Sequence, residues 1–206
     1  MRANVSVSYK FEGSDQSLCT ATLNTPGGLP VENATIVLTD GDGTELTTLV
    51  ADDDNDGTYT GSFDGYVEEL YLSITSPQDG ELDAVLAGPT RHVIVSPLHS
   101  STVSLSDVLD GLRVVWNAEH GLKADEVVLR VPETTQGFGE DDDEVENFVY
   151  QSGSMEDKGS GTVPGDRLNE SEAIQVLRRN FVKLAGGYEG SLFSSSYLVE
   201  NRIAID

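Results

Sequence analysis

The 206-residue chain is short of cysteine and of basic side chains. Its one cysteine, Cys19, cannot form a disulfide within the chain, and it lies in a strand-like run where we expect a small buried hydrophobic residue. Only 12 lysines and arginines oppose 36 acids, which gives a formal net charge of −24. Because such a chain repels phosphate backbones and anionic head groups, we expect neither nucleic acid nor a membrane surface as a partner.

Long apolar runs and familiar catalytic motifs are also missing. No apolar stretch approaches the length of a membrane span, so we expect no membrane insertion. Met1-Arg2-Ala3 runs directly into a strand pattern, which we interpret as the start of a mature chain with an added methionine. The three histidines have no metal-pair spacing, and HExxH, GxSxG, Walker and dinucleotide-binding motifs do not occur. We therefore expect a protein that is not an enzyme.

Short alternating runs separated by turn residues dominate the first half of the chain. In Asn4–Phe11, for example, Val5, Val7 and Tyr9 fall on one face and serines on the other, which is the period of a β-strand. Seven such runs with turns every eight to twelve residues are typical of an immunoglobulin-type β-sandwich. The predicted strands are Asn4–Phe11, Ser17–Leu23, Ala34–Thr39, Glu45–Ala51, Thr58–Phe63, Leu70–Thr75 and Arg91–Ser96.

Two motifs in this half carry a family resemblance. Residues 30–38, PVENATIVL, resemble the P-V-x-x-A-x-V-x-L run of bacterial surface immunoglobulin-like and carboxypeptidase-regulatory-like domains. Residues 56–60, DGTYT, resemble the D-G-x-Y-T step that these domains carry at a tyrosine corner. The resemblance covers roughly residues 1–98. It implies a β-sandwich in which the ring of Tyr59 is buried and its hydroxyl bonds the backbone, and it implies no particular activity.

The second half has a resemblance of its own after a predicted linker at Pro97–Ser101. Residues 111–117, GLRVVWN, and 125–131, DEVVLRV, resemble the B and C strands of a fibronectin type III-like sandwich, with Trp116 as a core anchor. We therefore predict an all-β fold of two immunoglobulin-like β-sandwich domains in tandem, 1–98 and 102–206. The further predicted strands are Asn147–Ser152, Gly159–Val163, Ala173–Arg178 and Tyr197–Ile205.

One segment of the second half is ambiguous. Residues 173–184 also fit a helical face, with an N-cap at Asn169 or Ser171 and Gly186 beyond the end. We favour a strand, because the fibronectin type III-like resemblance implies a strand ending in arginine here and Leu177-Arg178 matches it.

An acidic turn supplies the one cofactor signal. Asp52, Asp54 and Asp56 alternate before Gly57, so their carboxylates could converge on Ca²⁺ with the carbonyl of Thr58 as a further ligand. The acid at the twelfth position of a calcium loop is missing, since Phe63 stands there. The alternative is a solvent-facing hairpin turn. We expect two other acidic groups to be solvated turns or loops, namely Asp40 with Asp42 and the run from Asp141 to Glu144.

These observations favour a non-enzymatic, extracytoplasmic bacterial surface protein or lipoprotein ectodomain that acts as a structural or interaction module. Its partner would be an unknown protein or glycan at the cell surface. One alternative is a filament or adhesin subunit that self-assembles by β-strand addition through its terminal strands, Asn4–Phe11 or Tyr197–Ile205. Another is a calcium-dependent carbohydrate-binding module with Tyr59 or Tyr66 as a sugar platform.

Overall fold

The computed structural model of the protein describes residues 1–10, 16–52, 56–89, 91–118, 121–133, 148–168 and 173–206. These residues form fifteen β-strands and no α-helix, which confirms the all-β prediction. The strands are β1 (Arg2–Lys10), β2 (Gln16–Asn24), β3 (Thr35–Asp40), β4 (Glu45–Ala51), β5 (Thr58–Asp64), β6 (Glu69–Ser76), β7 (Gly80–Ala87), β8 (His92–Ser96), β9 (Ser101–Val103), β10 (Leu112–Ala118), β11 (Glu126–Pro132), β12 (Phe148–Gln151), β13 (Ser160–Val163), β14 (Ala173–Lys183) and β15 (Leu192–Ile205).

The chain divides into two compact units. Unit 1 combines Met1–Pro89 with Arg179–Tyr197, and unit 2 combines Thr90–Arg178 with Leu198–Asp206. Strands β14 and β15 therefore contribute residues to both units, a grouping that differs from the predicted linear division into 1–98 and 102–206. The number of independently folding domains stays a prediction.

Unit 1 is built on hydrogen-bonded strands in the order β15, β1, β2, β5, β4, β3, β6 and β7. Alternation decides which face is buried: on β2, Cys19, Ala21 and Leu23 are enclosed between exposed or half-exposed neighbours. Strand β7 is absent from the predicted set, because its acids Glu81 and Asp83 are residue types depleted in strands. Pairing with β6 along eight residues, from Ser76↔Gly80 to Glu69↔Ala87, outweighs that local preference.

Unit 2 contains the three-stranded order β13, β10, β8 and the order β12, β11, β14, with β14 next to β15. Strand β9 pairs in parallel with β15 and begins at Ser101, the last residue of the predicted linker. The strand prediction for Ala173–Arg178 is confirmed and the helical alternative is wrong. The five consecutive residues 174–178 are all buried, which a strand covered on both faces permits and an amphipathic helix does not.

The pairing of the terminal strands corrects one expectation. Strand β1 is hydrogen-bonded to β15 on one side and to β2 on the other, and β15 lies between β14 and β1 and also pairs with β9. Neither strand is a free edge, so the terminal strands cannot add to a neighbouring molecule without leaving their own ladders. Within the described part of the chain, no helix has the length and apolar composition that a membrane crossing requires.

Candidate functional site

The acidic turn between β4 and β5 is closed by one backbone hydrogen bond and by one hydrogen bond to a side chain. The Asp52 N–H donates to the Thr58 carbonyl at 2.9 Å, and an Asp56 carboxylate oxygen accepts the Thr58 N–H at 2.8 Å. Hydrogen bonds from the side chain and backbone of Thr58 lower the pKa of Asp56, so this carboxylate is ionised at neutral pH. Gly57 has φ 81°, and a Cβ there would clash with the Leu23 carbonyl oxygen, so the turn requires glycine.

This geometry brings together part of the predicted calcium site. Asp52 and Asp56 are both exposed at the two ends of the turn, whereas Asp54 lies outside the described residues. The Thr58 carbonyl, expected as a ligand, already accepts one hydrogen bond and keeps a second lone pair. Among the described residues, no three His, Cys, Asp or Glu side chains are grouped so that they could hold a metal ion. Calcium binding at Asp52, Asp54, Asp56 and Thr58 stays a prediction.

The second acidic turn is a structural turn. One Asp40 carboxylate oxygen accepts the backbone N–H groups of Asp42 at 3.0 Å and Thr44 at 2.8 Å, which fixes the β3–β4 connection. This turn and the Asp52–Thr58 turn lie at opposite ends of β4, as the strand order from the sequence implies. The acidic run from Asp141 to Glu144 lies outside the described residues.

Tyr59 forms the predicted tyrosine corner in unit 1. Its side chain is 2% exposed. Its hydroxyl donates to the Val31 carbonyl at 2.8 Å and accepts the Ala34 N–H at 3.1 Å. Tyr59 thus ties the segment before β3 to β5, which confirms its structural role. The expectation that Tyr59 serves as a sugar platform is wrong, because the ring is enclosed.

Tyr66, the other proposed platform, belongs to an aromatic cluster. Its ring centroid is 5.0 Å from Tyr9 and 5.8 Å from Tyr197, and Phe63 packs edge-on against Tyr9 at 6.2 Å. The Tyr66 hydroxyl donates to the Pro89 carbonyl at 3.0 Å. Burial raises the pKa of Tyr9, so its hydroxyl stays protonated. Tyr66 is half-buried, and its packing against this cluster leaves only part of the ring for a ligand.

Unit 2 contains a buried ion pair that sequence reasoning missed. Arg178 on β14 is 0% exposed and Asp157, in the segment before β13, is 5% exposed. The Arg178 Nε and Nη2 atoms donate to the same oxygen of Asp157, Oδ2, at 2.9 and 2.6 Å. A buried charge requires a partner of opposite sign and further hydrogen bonds, and this pair has both.

Three further groups complete what we term the Asp157 cluster. Trp116 Nε1 donates to Asp157 Oδ1 and the Ala124 N–H donates to Oδ2, both at 2.9 Å, while Arg178 Nη2 donates to the Leu122 carbonyl. Burial by itself raises the pKa of Asp157, but the hydrogen bonds and the charge of Arg178 outweigh burial and lower that pKa. The cluster thus holds Leu122 and Ala124, in the segment before β11, to Arg178 of β14 and to Asp157.

His92 lies in the same interior. It is 2% exposed, and its Nε2 is 3.0 Å from the Val176 carbonyl oxygen. Because a carbonyl oxygen only accepts hydrogen bonds, Nε2 carries the hydrogen of the neutral imidazole and donates it. Burial, assisted by the positive charge of Arg178, lowers the pKa of His92 to about 4. The imidazole is therefore neutral at physiological pH and serves the core.

The sequence contains part of the signal for this cluster. Burial of Trp116 was predicted and is confirmed at 3% exposure, and an indole N–H in a core requires an acceptor. The acceptor, Asp157, is 41 residues away in a segment with other charges, Glu156 and Lys158. Nothing local separates Asp157 from these exposed neighbours, so only the tertiary structure identifies it.

Comparisons with known proteins give no family. No protein-family model matches the chain, and no curated protein matches it. Among solved structures, the Yersinia pseudotuberculosis adhesin InvE aligns with 98% of this chain at 15% identity and a TM-score of 0.29, and this chain spans 58% of the adhesin chain. The central fibronectin-III array of RIM-binding protein aligns over 100% of this chain and 70% of its own, at 10% identity and a TM-score of 0.27. The alignment with a DUF3823 family protein from Parabacteroides merdae covers 98% of this chain and 98% of that protein, at 14% identity and a TM-score of 0.25. At such scores neither fold nor function transfers from one chain to another.

Proposed function

We propose that this protein is a non-enzymatic, extracytoplasmic module of a bacterial surface, a structural or interaction element that presents its loops to a partner protein or glycan. The observation that carries this proposal is the Asp157 cluster, whose buried polar groups fasten connecting segments to strands. Tyr59 does the same in unit 1 by bonding the backbone of Val31 and Ala34. Loops held on a rigid β scaffold are the usual place for binding residues.

The buried ionisable groups support a structural role over a catalytic one. Arg178 and Asp157 are bonded to each other and enclosed, so neither can contact a substrate. The thiol of Cys19 is 1% exposed, and burial raises its pKa to about 12, which makes it a poor nucleophile.

The proposed location rests on the acidity of the chain and on the resemblance of its two halves to surface domains. It is tested by treating intact cells that naturally produce the protein with a protease and detecting the chain with an antibody. We expect cleavage in intact cells under conditions that leave a cytoplasmic marker whole. Cleavage only after lysis would contradict an extracytoplasmic location.

Calcium binding at the acidic turn is a separate proposal. Asp52 and Asp56 present exposed carboxylates, and Ca²⁺ would relieve the repulsion between them and Asp54. The missing twelfth-position acid implies weak binding, with a dissociation constant of roughly 10⁻⁴–10⁻³ M. Mg²⁺ should bind less well, because it demands stricter octahedral geometry.

Calorimetric titration of wild type, Asp54→Ala and Asp42→Ala tests the calcium proposal. We expect heat in wild type and in Asp42→Ala, which alters the other turn, and none in Asp54→Ala. No heat in wild type at millimolar Ca²⁺, or equal heats in all three proteins, would leave the turn as a solvated hairpin.

Assembly by strand addition would have to use an edge other than β1 or β15. Among the strands that the structure describes, β8 pairs with β10 alone, and its outward residues Val93 and Val95 are 48% and 42% exposed. However, Asn201 Nδ2 donates to the carbonyls of Ile94 and Pro97, which occupies two acceptors along this segment. We expect Val93→Lys to abolish any assembly that uses β8, and unchanged particle size by light scattering would exclude this route.

A further inference from the structure

We propose that the outer face of β1, β2, β5 and β4 is a contact surface for a second copy of this chain. This surface, which we term the hydroxyl face, lies in unit 1 on the side of these strands opposite the core. Its members are the uncharged outward side chains in the middle of this face. They are Asn4, Ser6, Ser8, Leu18, Thr20, Thr22, Val50, Thr58, Thr60 and Ser62. Exposed Arg2 of β1 and exposed Asp64 of β5 lie beyond them, at opposite ends of the same face.

Strand register places these side chains in three rows. The central row is Ser6, Thr20, Thr60 and Val50, each directly opposite the next on neighbouring strands. The flanking rows are Asn4–Thr22–Thr58 and Ser8–Leu18–Ser62. Neighbouring strands are about 4.8 Å apart, so short side chains in register make a flat surface that a second flat surface can approach closely.

Charge decides which partner fits this face. None of its ten side chains is charged, although the chain carries 36 acids and a net charge of −24. The outer face of β6 and β7, in the same unit, carries Glu69, Glu81 and Asp83. Two copies of so acidic a chain repel each other most strongly where acidic side chains face each other. Contact through the hydroxyl face therefore brings them together with the least electrostatic repulsion.

Two exposed apolar side chains lie within this polar face. Leu18 is 52% exposed and Val50 is 70% exposed, on β2 and β4. In a two-fold contact the same patch meets itself in opposite orientation, so Leu18 of one copy can pack on Val50 of the other. The surrounding hydroxyls both donate and accept, so they can bond one another or bridging waters across such a contact.

The size of the face predicts weak association. Four strands about 4.8 Å apart and five residues of about 3.4 Å rise cover roughly 330 Å² per copy, or roughly 650 Å² in total. A stable interface buries about 1,000 Å² or more, so the contact is reversible. Salt should strengthen it, because the Debye length falls from about 10 Å at 0.1 M to about 3 Å at 1 M and screens the remaining acids.

Sedimentation velocity from micromolar to millimolar protein, at about 0.1 and 1 M NaCl, measures this association. The test variant is Thr20→Glu with Thr60→Glu, a directly opposed pair on β2 and β5. The matched control is Thr35→Glu with Thr75→Glu, an equally opposed and exposed pair on β3 and β6. We expect the test pair to raise the dissociation constant at least about tenfold and the control pair less than about twofold.

Two further variants separate the face from its alternatives. Thr20→Lys with Thr60→Lys makes the net charge less negative but still places like charges in the contact, so we expect it to weaken association as well. Leu18→Ser is a milder change that we expect to weaken association. A thermal melt verifies that this variant keeps its fold.

The proposal is overturned if the wild type stays monomeric throughout at high salt. It is also overturned if both glutamate pairs act equally, if the lysine pair strengthens association, or if Val93→Lys alone abolishes it. The last result would place the contact at β8.

Discussion

The two units hold their connecting segments with different kinds of buried polar group. In unit 1 the group is neutral, the hydroxyl of Tyr59 between the backbones of Val31 and Ala34. In unit 2 it is an ion pair, Asp157 with Arg178. The loss of a neutral hydrogen bond costs about 1 kcal/mol, whereas an ion left unpaired in a core costs about 3–5 kcal/mol. The two buried groups therefore differ several-fold in the free energy of unfolding that a mutation is expected to remove.

The largest effect is expected from Arg178→Met. The methionine occupies the space of the aliphatic stem but leaves the Asp157 carboxylate buried without its cation, so unit 2 should lose about 3–5 kcal/mol. Trp116, the only tryptophan, lies in unit 2 and reports its unfolding by fluorescence in denaturant. Arg113→Met, on an exposed position of β10, is the control and should change stability by less than about 0.5 kcal/mol. Equal losses in both variants would contradict this account.

The next effect is the pH dependence of unit 2. His92 has a folded-state pKa of about 4, below the 6.5 of an exposed histidine, so between these values the unfolded chain binds a proton that the folded chain does not. Stability is therefore lost as pH falls from 6.5 to 4, by about 3 kcal/mol. The lowered pKa of Asp157 acts in the same direction at lower pH, because its contribution is lost as pH falls through the folded-state value.

His92→Gln tests this dependence, since glutamine keeps a donor for the Val176 carbonyl and does not titrate. We expect the fluorescence-detected unfolding free energy of this variant to be nearly flat between pH 6.5 and 4.5. A slope equal to that of wild type would assign the acid sensitivity to other groups.

A smaller effect is expected from Trp116→Phe. The change removes the N–H that bonds the charged Asp157, and hydrogen bonds to charged groups contribute about 1.5–3 kcal/mol, with the loss of ring volume in addition. Because the variant loses its fluorescence probe, circular dichroism and amide hydrogen exchange in β10 measure the change. Unaltered exchange in β10 would contradict the assigned role of the indole.

The smallest effect is expected from Tyr59→Phe in unit 1. The ring stays in place while the hydroxyl is lost, so the cost should be about 1 kcal/mol. Tyr71→Phe is the control, because its hydroxyl bonds Glu69 on the exposed surface and should contribute less than about 0.5 kcal/mol. A loss from Tyr59→Phe as large as that from Trp116→Phe would remove the contrast between neutral and charged groups.

The same contrast explains what sequence could predict. The fold class, the structural role of Tyr59 and the burial of Trp116 follow from local alternation and from short motifs around these residues. Strand β7 was missed because Glu81 and Asp83 are residue types that are uncommon in strands. The partners of β1 were missed because strand pairing depends on residues far apart in the sequence. Asp157 was missed because nothing in the local sequence distinguishes it from its exposed charged neighbours, Glu156 and Lys158.

The candidate sites divide in the same way. The acidic turn is visible in sequence because its residues are contiguous, and the structure confirms a turn with Asp52 and Asp56 exposed at its ends. The hydroxyl face is invisible in sequence, since its rows combine strands whose order only the fold defines. Separation along the chain therefore limits site prediction here more than residue type does.

A double-mutant cycle on Asp157 and Arg178 tests the central claim most directly. Asp157→Ala, Arg178→Met and the double variant are compared with wild type by denaturant unfolding followed at Trp116. If the two residues form a buried ion pair, each single variant leaves an unpaired charge, and the double variant loses less stability than the sum of the two single losses. If the loss in the double variant equals the sum of the two single losses, the two charges do not depend on each other and the account is contradicted.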